Sequence, residues 1–189
     1  MIKEFKTEYL DELMEIWLET NINAHNFIEK EYWINNFDLV KKMLPNAEIY
    51  IFQENNVIKG FIGIIEEEYI AGLFVKREYQ REGIGKALIE YIKPKYKQLT
   101  LDVYAKNKNA INFYCKNNFK VVNEKKNEDT KELEYEMIFS KGLYWFKLIG
   151  RFLSTFIVLY NKNKMKIYII KITIVAIFEN KMDRILVEC

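Results

Sequence analysis

The sequence predicts a mixed α/β (α+β) domain, in which helices flank a mainly antiparallel sheet, followed by an apolar C-terminal extension. Along residues 1–141, hydrophobic residues recur with the period of a strand or a helix, in the order β-α-α-β-β-β-α-β-α-β-β. Half of the 189 residues are hydrophobic and 15% are aromatic, which is ample for a packed core. From Gly142 onward the pattern becomes a long apolar stretch, so residues 142–189 form a separate extension without an assigned role.

Composition limits the partners and the compartment. The formal net charge is +2, without the basic excess of proteins that bind nucleic acid. The only cysteines are Cys115 and Cys189, and a single histidine with scattered carboxylates predicts no metal site. Because cysteines are few and the first residues lack the apolar core of a signal peptide, we expect a cytoplasmic protein.

Two helices are predicted near the N-terminus, after a short strand over residues 2–6. Thr7 is a candidate cap for the first helix, and residues 21–29 form a polar, turn-prone segment behind it. The second helix should stop at Pro45. The apolar positions with helical spacing are Leu10, Leu13, Met14, Trp17 and Leu18 in the first helix, and Trp33, Phe37, Val40 and Leu44 in the second.

Strands and helices alternate in the rest of the domain. Asn55-Asn56 is typical of a tight hairpin between two strands, and a charged loop over residues 123–131 separates the strands of a closing hairpin. The third helix has Ile84 and Leu88 on its apolar side and ends near Pro94. The predicted strands cover residues 48–53, 57–65, 71–75, 99–104, 119–122 and 133–139, and the last helix covers residues 109–117.

The turn after the strand over residues 71–75 is a candidate anion-binding site. Gly83 and Gly85 let the backbone bend sharply and approach a ligand closely, and the helix that begins there directs free N–H groups outward. A phosphate or pyrophosphate fits such a helix start. A P-loop is excluded, because Gln80 and Ala87 stand where it needs a glycine and a hydroxyl. A dinucleotide fingerprint is excluded because its third glycine is replaced by leucine.

Gln80, Gly83 and Gly85 instead form the pattern Gln-x-x-Gly-x-Gly, which resembles the acetyl-CoA loop of the GNAT N-acetyltransferase superfamily. The second motif of that family follows in order, with Asn107, Ala110, Phe113-Tyr114 and Phe119. The family usually has glycine before the last phenylalanine. Here Asn118 takes that place, and asparagine tolerates the left-handed conformation of a helix end. The resemblance covers roughly residues 1–141 and implies the GNAT fold, with acetyl-CoA as co-substrate.

The resemblance also implies how acetyl-CoA is held. The backbone of residues 73–75 would pair with the pantetheine arm like an added strand, and the N–H groups between Arg81 and Lys86 would cradle the pyrophosphate. The side chains of Arg81 and Lys86 would add charge, or would belong only to a solvated helix face. Asn107 would contact the cofactor, cap the next helix, or do both. The candidate cofactor-binding residues are Leu73, Val75, Gln80, Arg81, Gly83, Ile84, Gly85, Lys86 and Asn107.

Acetyl transfer to an amine needs a neutral amine and benefits from a proton for the leaving thiolate. The resemblance makes Tyr114 the candidate acid toward the CoA sulfur, since a phenol with a pKa of about 10 matches an alkyl thiol. The alternative is a core tyrosine. Glu68, and after it Glu66, are candidate bases, although three consecutive carboxylates also suit a solvated turn. His25 is a candidate substrate-binding residue or base, and the alternative is a packed or capping histidine.

The function that the resemblance implies is N-acetyl transfer from acetyl-CoA to a primary amine, by direct attack in a ternary complex. A protein lysine, an N-terminal amine and a small-molecule amine all remain open as acceptors. One alternative is a non-catalytic CoA-binding regulatory module, and another is a membrane-surface protein acting through its extension. In residues 143–160 of that extension, Lys147 and Arg151 recur at helical spacing, which favours an amphipathic helix over a spanning one. An extension this apolar also leaves a homodimer open.

Overall fold

The computed structural model describes residues 1–66 and 68–141, and the predictions for residues 142–189 lie outside the described residues. The elements are β1 (Ile2–Glu4), α1 (Leu10–Ala24), α2 (Lys30–Met43), β2 (Glu48–Glu54), β3 (Val57–Ile65), β4 (Tyr69–Val75), α3 (Ile84–Ile92), β5 (Gln98–Tyr104), α4 (Lys108–Lys116), β6 (Lys120–Lys126) and β7 (Leu133–Ser140). The predicted order of strands and helices is therefore confirmed.

The seven strands form one sheet in the order β1-β2-β3-β4-β5-β7-β6. Every neighbouring pair is antiparallel except β4 and β5, which run parallel. The sheet is therefore mixed and mainly antiparallel, as the sequence predicts. The single parallel pair lies in the middle of the sheet, where the helix α3 connects one strand to the next.

Helices cover both faces of the sheet and divide the core into two clusters. On one face, Leu88 and Ile92 of α3 are buried against the strands together with Phe119, which follows α4. On the other face, Leu13 of α1 and Trp33 of α2 belong to a second cluster. Full burial of an aliphatic side chain contributes about 1.5–3 kcal/mol. The two clusters therefore fix the helix pairs α3–α4 and α1–α2 on opposite sides of the sheet.

The start and the end of α1 differ from the prediction. Thr7 does not cap α1, because it opens a short 3-10 turn and α1 begins at Leu10 without a side-chain cap. The helix also continues through residues 21–24, which the sequence places in a turn. The buried Asn21 side chain donates a hydrogen bond from Nδ2 to the Trp17 carbonyl at 2.9 Å. Its amide is thereby satisfied within the helix, so asparagine does not end it.

β6 is longer than the predicted strand over residues 119–122. The register with β7 skips Val122, and the ladder then resumes through the charged residues that follow. Those residues are tolerated because β6 is an edge strand, where charged side chains reach water. The loop between β6 and β7 is correspondingly shorter than the predicted loop over residues 123–131.

The two turns predicted from asparagine both have the left-handed backbone conformation. Asn55 and Asn56 have φ angles of 51° and 62°, which confirms the tight hairpin between β2 and β3. Asn118 has a φ of 62° at the end of α4. Its N–H donates to the Cys115 carbonyl and the next N–H, of Phe119, donates to the carbonyl of residue 114, both at 3.0 Å. These two bonds close the helix as a glycine usually does, so the predicted role of Asn118 is confirmed.

Replacing Asn118 tests how much this helix end depends on the left-handed conformation. Asn118→Val should destabilise the fold by about 1–2 kcal/mol, because a β-branched residue is strained at positive φ. Asn118→Gly should cost little and serves as the matched control. Urea unfolding of both variants measures the difference, and equal stabilities would show that the end of α4 relaxes without a left-handed residue.

Candidate active site

The central strands of the sheet separate soon after they meet. In the register of the described strands, β4 and β5 pair only at Tyr69 and Thr100, where the Thr100 N–H also donates to the Glu68 carbonyl at 2.9 Å. Although β4 is the fourth of seven strands, none of its residues 71–75 is fully buried. The opening between residues 71–75 of β4 and residues 101–104 of β5 is termed the β4–β5 gap.

The backbone of β4 presents polar groups to the β4–β5 gap. The Lys76 N–H, just after β4, donates to the Lys59 carbonyl of β3 at 2.9 Å, so the backbone groups of Lys76 are directed toward β3. Backbone groups alternate in direction along a strand, and those of Leu73 and Val75 therefore face the gap. The Val75 carbonyl accepts a hydrogen bond from Gln80 Nε2 at 3.0 Å. The backbone N–H and carbonyl groups of Leu73 point into the gap, in the direction from which an added strand would pair with them.

Gly83 forms the start of α3, immediately beyond this end of β4. Its φ of 84° is left-handed, and a Cβ added there would meet no atom within 4 Å. The first intrahelical donor is Ala87, whose N–H bonds the Gly83 carbonyl at 2.9 Å. The N–H groups of Ile84, Gly85 and Lys86 therefore lack acceptors within the helix. Three outward donors at the positive end of a helix dipole can bind an anion.

Gly85 joins this turn to both neighbouring elements. A Cβ at Gly85 would lie 3.3 Å from the Phe113 ring of α4 and 3.4 Å from the Leu73 side chain of β4. Glycine therefore allows the close contact among the turn, α4 and the strand that borders the gap. The Ile84 side chain is buried, so only its backbone can face a ligand. The exposed cationic side chains of the turn are Arg81 and Lys86.

Asn107 is the N-cap of α4. Its Oδ1 accepts a hydrogen bond from the Ala110 N–H at 3.1 Å, which is the capping role expected from the sequence. Its Nδ2 lies 3.2 Å from Nε2 of His25, which follows the last residue of α1. The fold thus joins two candidate site residues that are 82 positions apart in the chain.

His25 lies in an aromatic enclosure formed by Phe27, Trp33 and Tyr104. Its ring stacks on Trp33 with 5.3 Å between ring centroids, and Phe27 and Tyr104 pack edge-on at 5.7 and 5.2 Å. Burial lowers the pKa of the imidazole to about 4, so the ring is neutral near neutral pH. The Nε2 atom of His25 faces Asn107. Because this contact occupies Nε2, it bears on whether His25 orients neighbouring groups or contacts a substrate.

Tyr114 lies in the core on the α3–α4 side of the sheet. The residue is 8% exposed, and its ring packs edge-on against Phe113 and Phe119 with centroids 5.2 and 5.3 Å away. Leu73 and Val75, whose backbones face the gap, pack against the same cluster. Burial raises the pKa of the phenol, so the hydroxyl is protonated at neutral pH and is a weaker acid than a free tyrosine.

The two glutamates predicted as bases lie at the closed end of the gap. Glu68 Oε1 accepts a hydrogen bond from Gln98 Nε2 at 3.4 Å, and the residue immediately precedes the single β4–β5 pair. Glu66 is exposed in the turn between β3 and β4, with a φ of 50°. The structure therefore places Glu68 closer to the paired strands than Glu66.

A group of carboxylates that the sequence analysis missed lies on the α1–α2 side of the sheet. Asp102 Oδ2 accepts hydrogen bonds from the Tyr69 hydroxyl at 3.0 Å and from Lys125 Nζ at 2.6 Å. Its Oδ1 is buried and has no hydrogen-bond partner within the described part of the chain. Glu134 is 8% exposed, accepts from Asn127 Nδ2 at 3.0 Å, and has its pKa raised by burial. Tyr69, Asp102, Lys125 and Glu134 together are termed the acidic recess.

The acidic recess borders the gap through β5. Asp102 and Tyr104 alternate along β5 with residues of the core cluster on the opposite face, and β7 places Glu136 and Glu134 directly opposite them. Side chains that face each other across neighbouring strands share one face of the sheet. The sequence signal for such a recess is a single aspartate within apolar β5 together with glutamates at alternate positions of β7. The sequence alone, however, does not show that β5 and β7 are neighbours, because that depends on the order of distant strands in the sheet.

The family model for the acetyltransferase (GNAT) domain matches residues 15–135. The chain belongs to the GNAT acetyltransferase family. This GNAT protein is similar to the peptidyl-lysine N-acetyltransferase YiaC of Escherichia coli, with 38% identity over 123 residues, which cover 65% of this chain and 84% of YiaC. It is also similar to the peptidyl-lysine N-acetyltransferase YjaB of E. coli, with 29% identity over 129 residues, 68% of this chain and 87% of YjaB.

Solved structures agree with this assignment. The apo form of E. coli YjaB superposes with a TM-score of 0.65 at 26% identity and covers 73% of this chain and 95% of its own. An aminoglycoside 6′-N-acetyltransferase, solved in complex with coenzyme A, shares the fold with a TM-score of 0.60 at 15% identity, over 74% of this chain and 96% of its own. The predicted GNAT fold and the predicted enzyme class, an acyltransferase, are confirmed.

Two further observations apply to residues 1–66 and 68–141. No helix there is both long enough and apolar enough to cross a membrane. No three histidine, cysteine, aspartate or glutamate side chains converge there into a group that could hold a metal ion. In this part of the GNAT protein, the candidate site consists of backbone donors, a buried tyrosine and carboxylates.

Proposed function

We propose that this GNAT protein transfers the acetyl group of acetyl-CoA to the side-chain amine of a lysine in a protein substrate. The observation that carries the proposal is the β4–β5 gap, because its unpaired β4 edge leads directly to the helix start at Gly83. The names of the relatives YiaC and YjaB support a peptidyl lysine among the amines that the sequence leaves open.

Acetyl-CoA would lie in the gap like an additional strand. The amide groups of its pantetheine arm would exchange hydrogen bonds with the backbone of Leu73 and with the Val75 N–H. Its pyrophosphate would then reach the N–H groups of residues 84–86. A helix start stabilises an anion by about 0.3–1 kcal/mol at an exposed position, and the charges of Arg81 and Lys86 would add to this.

The two faces of the sheet would supply the two proton transfers. The lysine ammonium first loses a proton to a carboxylate, and the amine lone pair then attacks the thioester carbonyl. When the carbon–sulfur bond breaks, the CoA thiolate takes a proton from Tyr114, and the excess proton that remains on the nitrogen restores the Tyr114 hydroxyl. Tyr114 lies on the α3–α4 side and the acidic recess on the α1–α2 side. The acetyl donor and the lysine acceptor would therefore meet across the gap, which suits direct transfer in a ternary complex.

Two positions compete for the role of the base. The sequence favours Glu68, at the closed end of the gap. The acidic recess adds Glu134, which fits the role better because burial raises its pKa toward the pH at which the enzyme works. Glu134 would act through a water molecule, since β7 is separated from the gap by β5.

Glu134→Gln should remove the acid limb of the pH profile of kcat/KM. The rate falls as the pH drops through the pKa of the base, and a raised pKa places that fall above the ordinary range of a carboxyl group. Initial rates with a lysine peptide between pH 5 and 9, a window spanning about four units around neutrality, measure the limb. Glu68→Gln is the matched control. A limb that moves in Glu68→Gln and stays in Glu134→Gln would assign the base to Glu68.

The function itself is tested with the full-length protein, acetyl-CoA and peptides that contain either lysine or, as a control, arginine at the same position. Mass spectrometry should detect acetylation of the lysine peptide alone. Initial-rate lines that intersect would support a ternary complex. Parallel lines together with an acetylated enzyme would contradict direct transfer, and activity restricted to small free amines would overturn the peptidyl acceptor.

A further inference from the structure

The junction between α1 and α2 is tied to the start of α4 through one side-chain contact. His25 follows α1, and its imidazole is held on three sides by the aromatic enclosure of Phe27, Trp33 and Tyr104. The remaining side carries Nε2, which lies 3.2 Å from Asn107 Nδ2. Packing from the α1–α2 connection, from α2 and from β5 thus fixes the ring plane and aims Nε2 at the cap of α4.

The direction of this hydrogen bond follows from the role of Asn107 as a cap. Asn107 Oδ1 accepts the Ala110 N–H at 3.1 Å, so the oxygen faces α4 and the NH₂ group faces His25. An amide nitrogen only donates, so His25 Nε2 must accept with its lone pair. The imidazole is then neutral and carries its proton on Nδ1. Within the described residues, Nδ1 is buried and has no hydrogen-bond partner of good geometry, although the Asn21 backbone interacts with the ring and raises its pKa against the effect of burial. Asn107 is therefore the side chain that orients the ring there.

The contact continues from Asn107 to the cofactor turn through α4. Asn107 caps the first turn of α4, and Phe113 on the same helix lies against the turn at Gly85. Tyr114, the next residue, lies in the core beside the gap. A shift at the start of α4 would therefore reach both the turn proposed for the pyrophosphate and the tyrosine proposed as the acid.

We propose that His25 is a positioning residue of the acetyl transfer reaction, which accepts a hydrogen bond from Asn107 through Nε2 and thereby holds α4 against the cofactor turn. The inference rests on the proposed function. In this role His25 neither binds the acceptor nor moves a proton. It differs from the substrate and base roles that the sequence suggests, because the nitrogen that those roles need is already engaged.

The tautomer can be observed directly, because His25 is the only histidine of the chain. In full-length protein labelled with ¹⁵N-histidine, long-range proton–nitrogen correlations should show a protonated Nδ1 and an unprotonated Nε2 at pH 7. Asn107→Ala should change the Nε2 resonance. On acidification the ring should titrate with a pKa of about 4. Tyr104 is the titratable group packed on the ring, and Lys106 lies beyond it, over Phe27. A protonated Nε2, or an Nε2 resonance unaffected by Asn107→Ala, would overturn the proposal.

Kinetics separate a positioning role from a contact with substrate. His25→Leu should raise KM for acetyl-CoA by about fivefold, comparable to the loss of a helix cap, and should lower kcat with every acceptor peptide. His25→Gln keeps an acceptor for Asn107 and should restore much of both. Asn107→Ala combined with His25→Leu should cost little more than Asn107→Ala alone, since Asn107→Ala already removes this bond together with the cap of α4. A rise in the acceptor KM alone, or equal losses in the leucine and glutamine variants, would contradict the proposal.

These measurements also distinguish failure of this proposal from failure of the proposed function. The nuclear magnetic resonance arm and calorimetric binding of acetyl-CoA need no acetyl transfer. If the wild-type protein binds acetyl-CoA but acetylates no lysine peptide, the proposed acceptor is wrong. The tautomer of His25 in the wild-type protein and the acetyl-CoA affinities of the His25→Leu and His25→Gln variants then still decide whether His25 positions α4.

Discussion

Tyr114→Phe is expected to lower kcat by about 10²–10⁴-fold, the usual contribution of general acid catalysis, while acetyl-CoA binds as tightly as before. The substitution removes only the hydroxyl. The ring stays, and with it the edge-on contacts to Phe113 and Phe119, so the core on the α3–α4 side keeps its packing. Steady-state kinetics with a lysine peptide give kcat, and calorimetry gives the affinity for acetyl-CoA.

Tyr91→Phe is the matched control for this variant. Tyr91 lies on α3, is 38% exposed and packs edge-on against Tyr50 of β2, which is away from the β4–β5 gap. Its replacement should leave kcat unchanged. A loss below about threefold in Tyr114→Phe would fall short of general acid catalysis and would make this tyrosine a core residue only.

Gly83→Val should weaken acetyl-CoA binding by at least about tenfold. The added side chain would enter the open space beside the outward N–H groups of residues 84–86. It would also strain the backbone, since a β-branched residue at a φ of 84° costs about 1–2 kcal/mol in the left-handed region. Both effects act on the turn proposed for the pyrophosphate. Calorimetric titration with acetyl-CoA measures the change.

Asn56→Val separates backbone strain from the loss of the binding space. Asn56 has a φ of 62° in the hairpin between β2 and β3, so valine is strained there in the same way. This variant should lose a similar amount of stability and keep its affinity for acetyl-CoA. If Gly83→Val folds and binds acetyl-CoA with unchanged affinity, the pyrophosphate does not lie at this turn.

The predictions that the structure confirms depend on residues close together in the chain. The backbone conformations of Gly83 and Asn118 and of the pair Asn55-Asn56 are set by what a missing Cβ or a short amide side chain permits. The order of strands and helices follows from local periodicity in the same way. Such features need no knowledge of which strands are neighbours.

The features that sequence analysis missed depend on distant parts of the chain. The contact between His25 and Asn107 spans 82 positions, and the acidic recess needs β7 beside β5. The extension of α1 past the predicted turn is the local exception, because the buried Asn21 amide bonds to the Trp17 carbonyl within the helix. In the first two cases, strand order and packing on the sheet bring together residues that the sequence alone does not connect.

The arrangement of strand edges determines where the sheet can accept further hydrogen bonds. Among the described residues, β1 is an outer edge of only three residues, and β6 is an outer edge lined with charged side chains. Short and charged edges discourage the addition of foreign strands. The interior edge, on residues 71–75 of β4, carries no charged side chain. Within the described sheet, the two outer edges therefore disfavour further strand pairing, whereas the central edge of β4 remains open to an extended, amide-containing ligand.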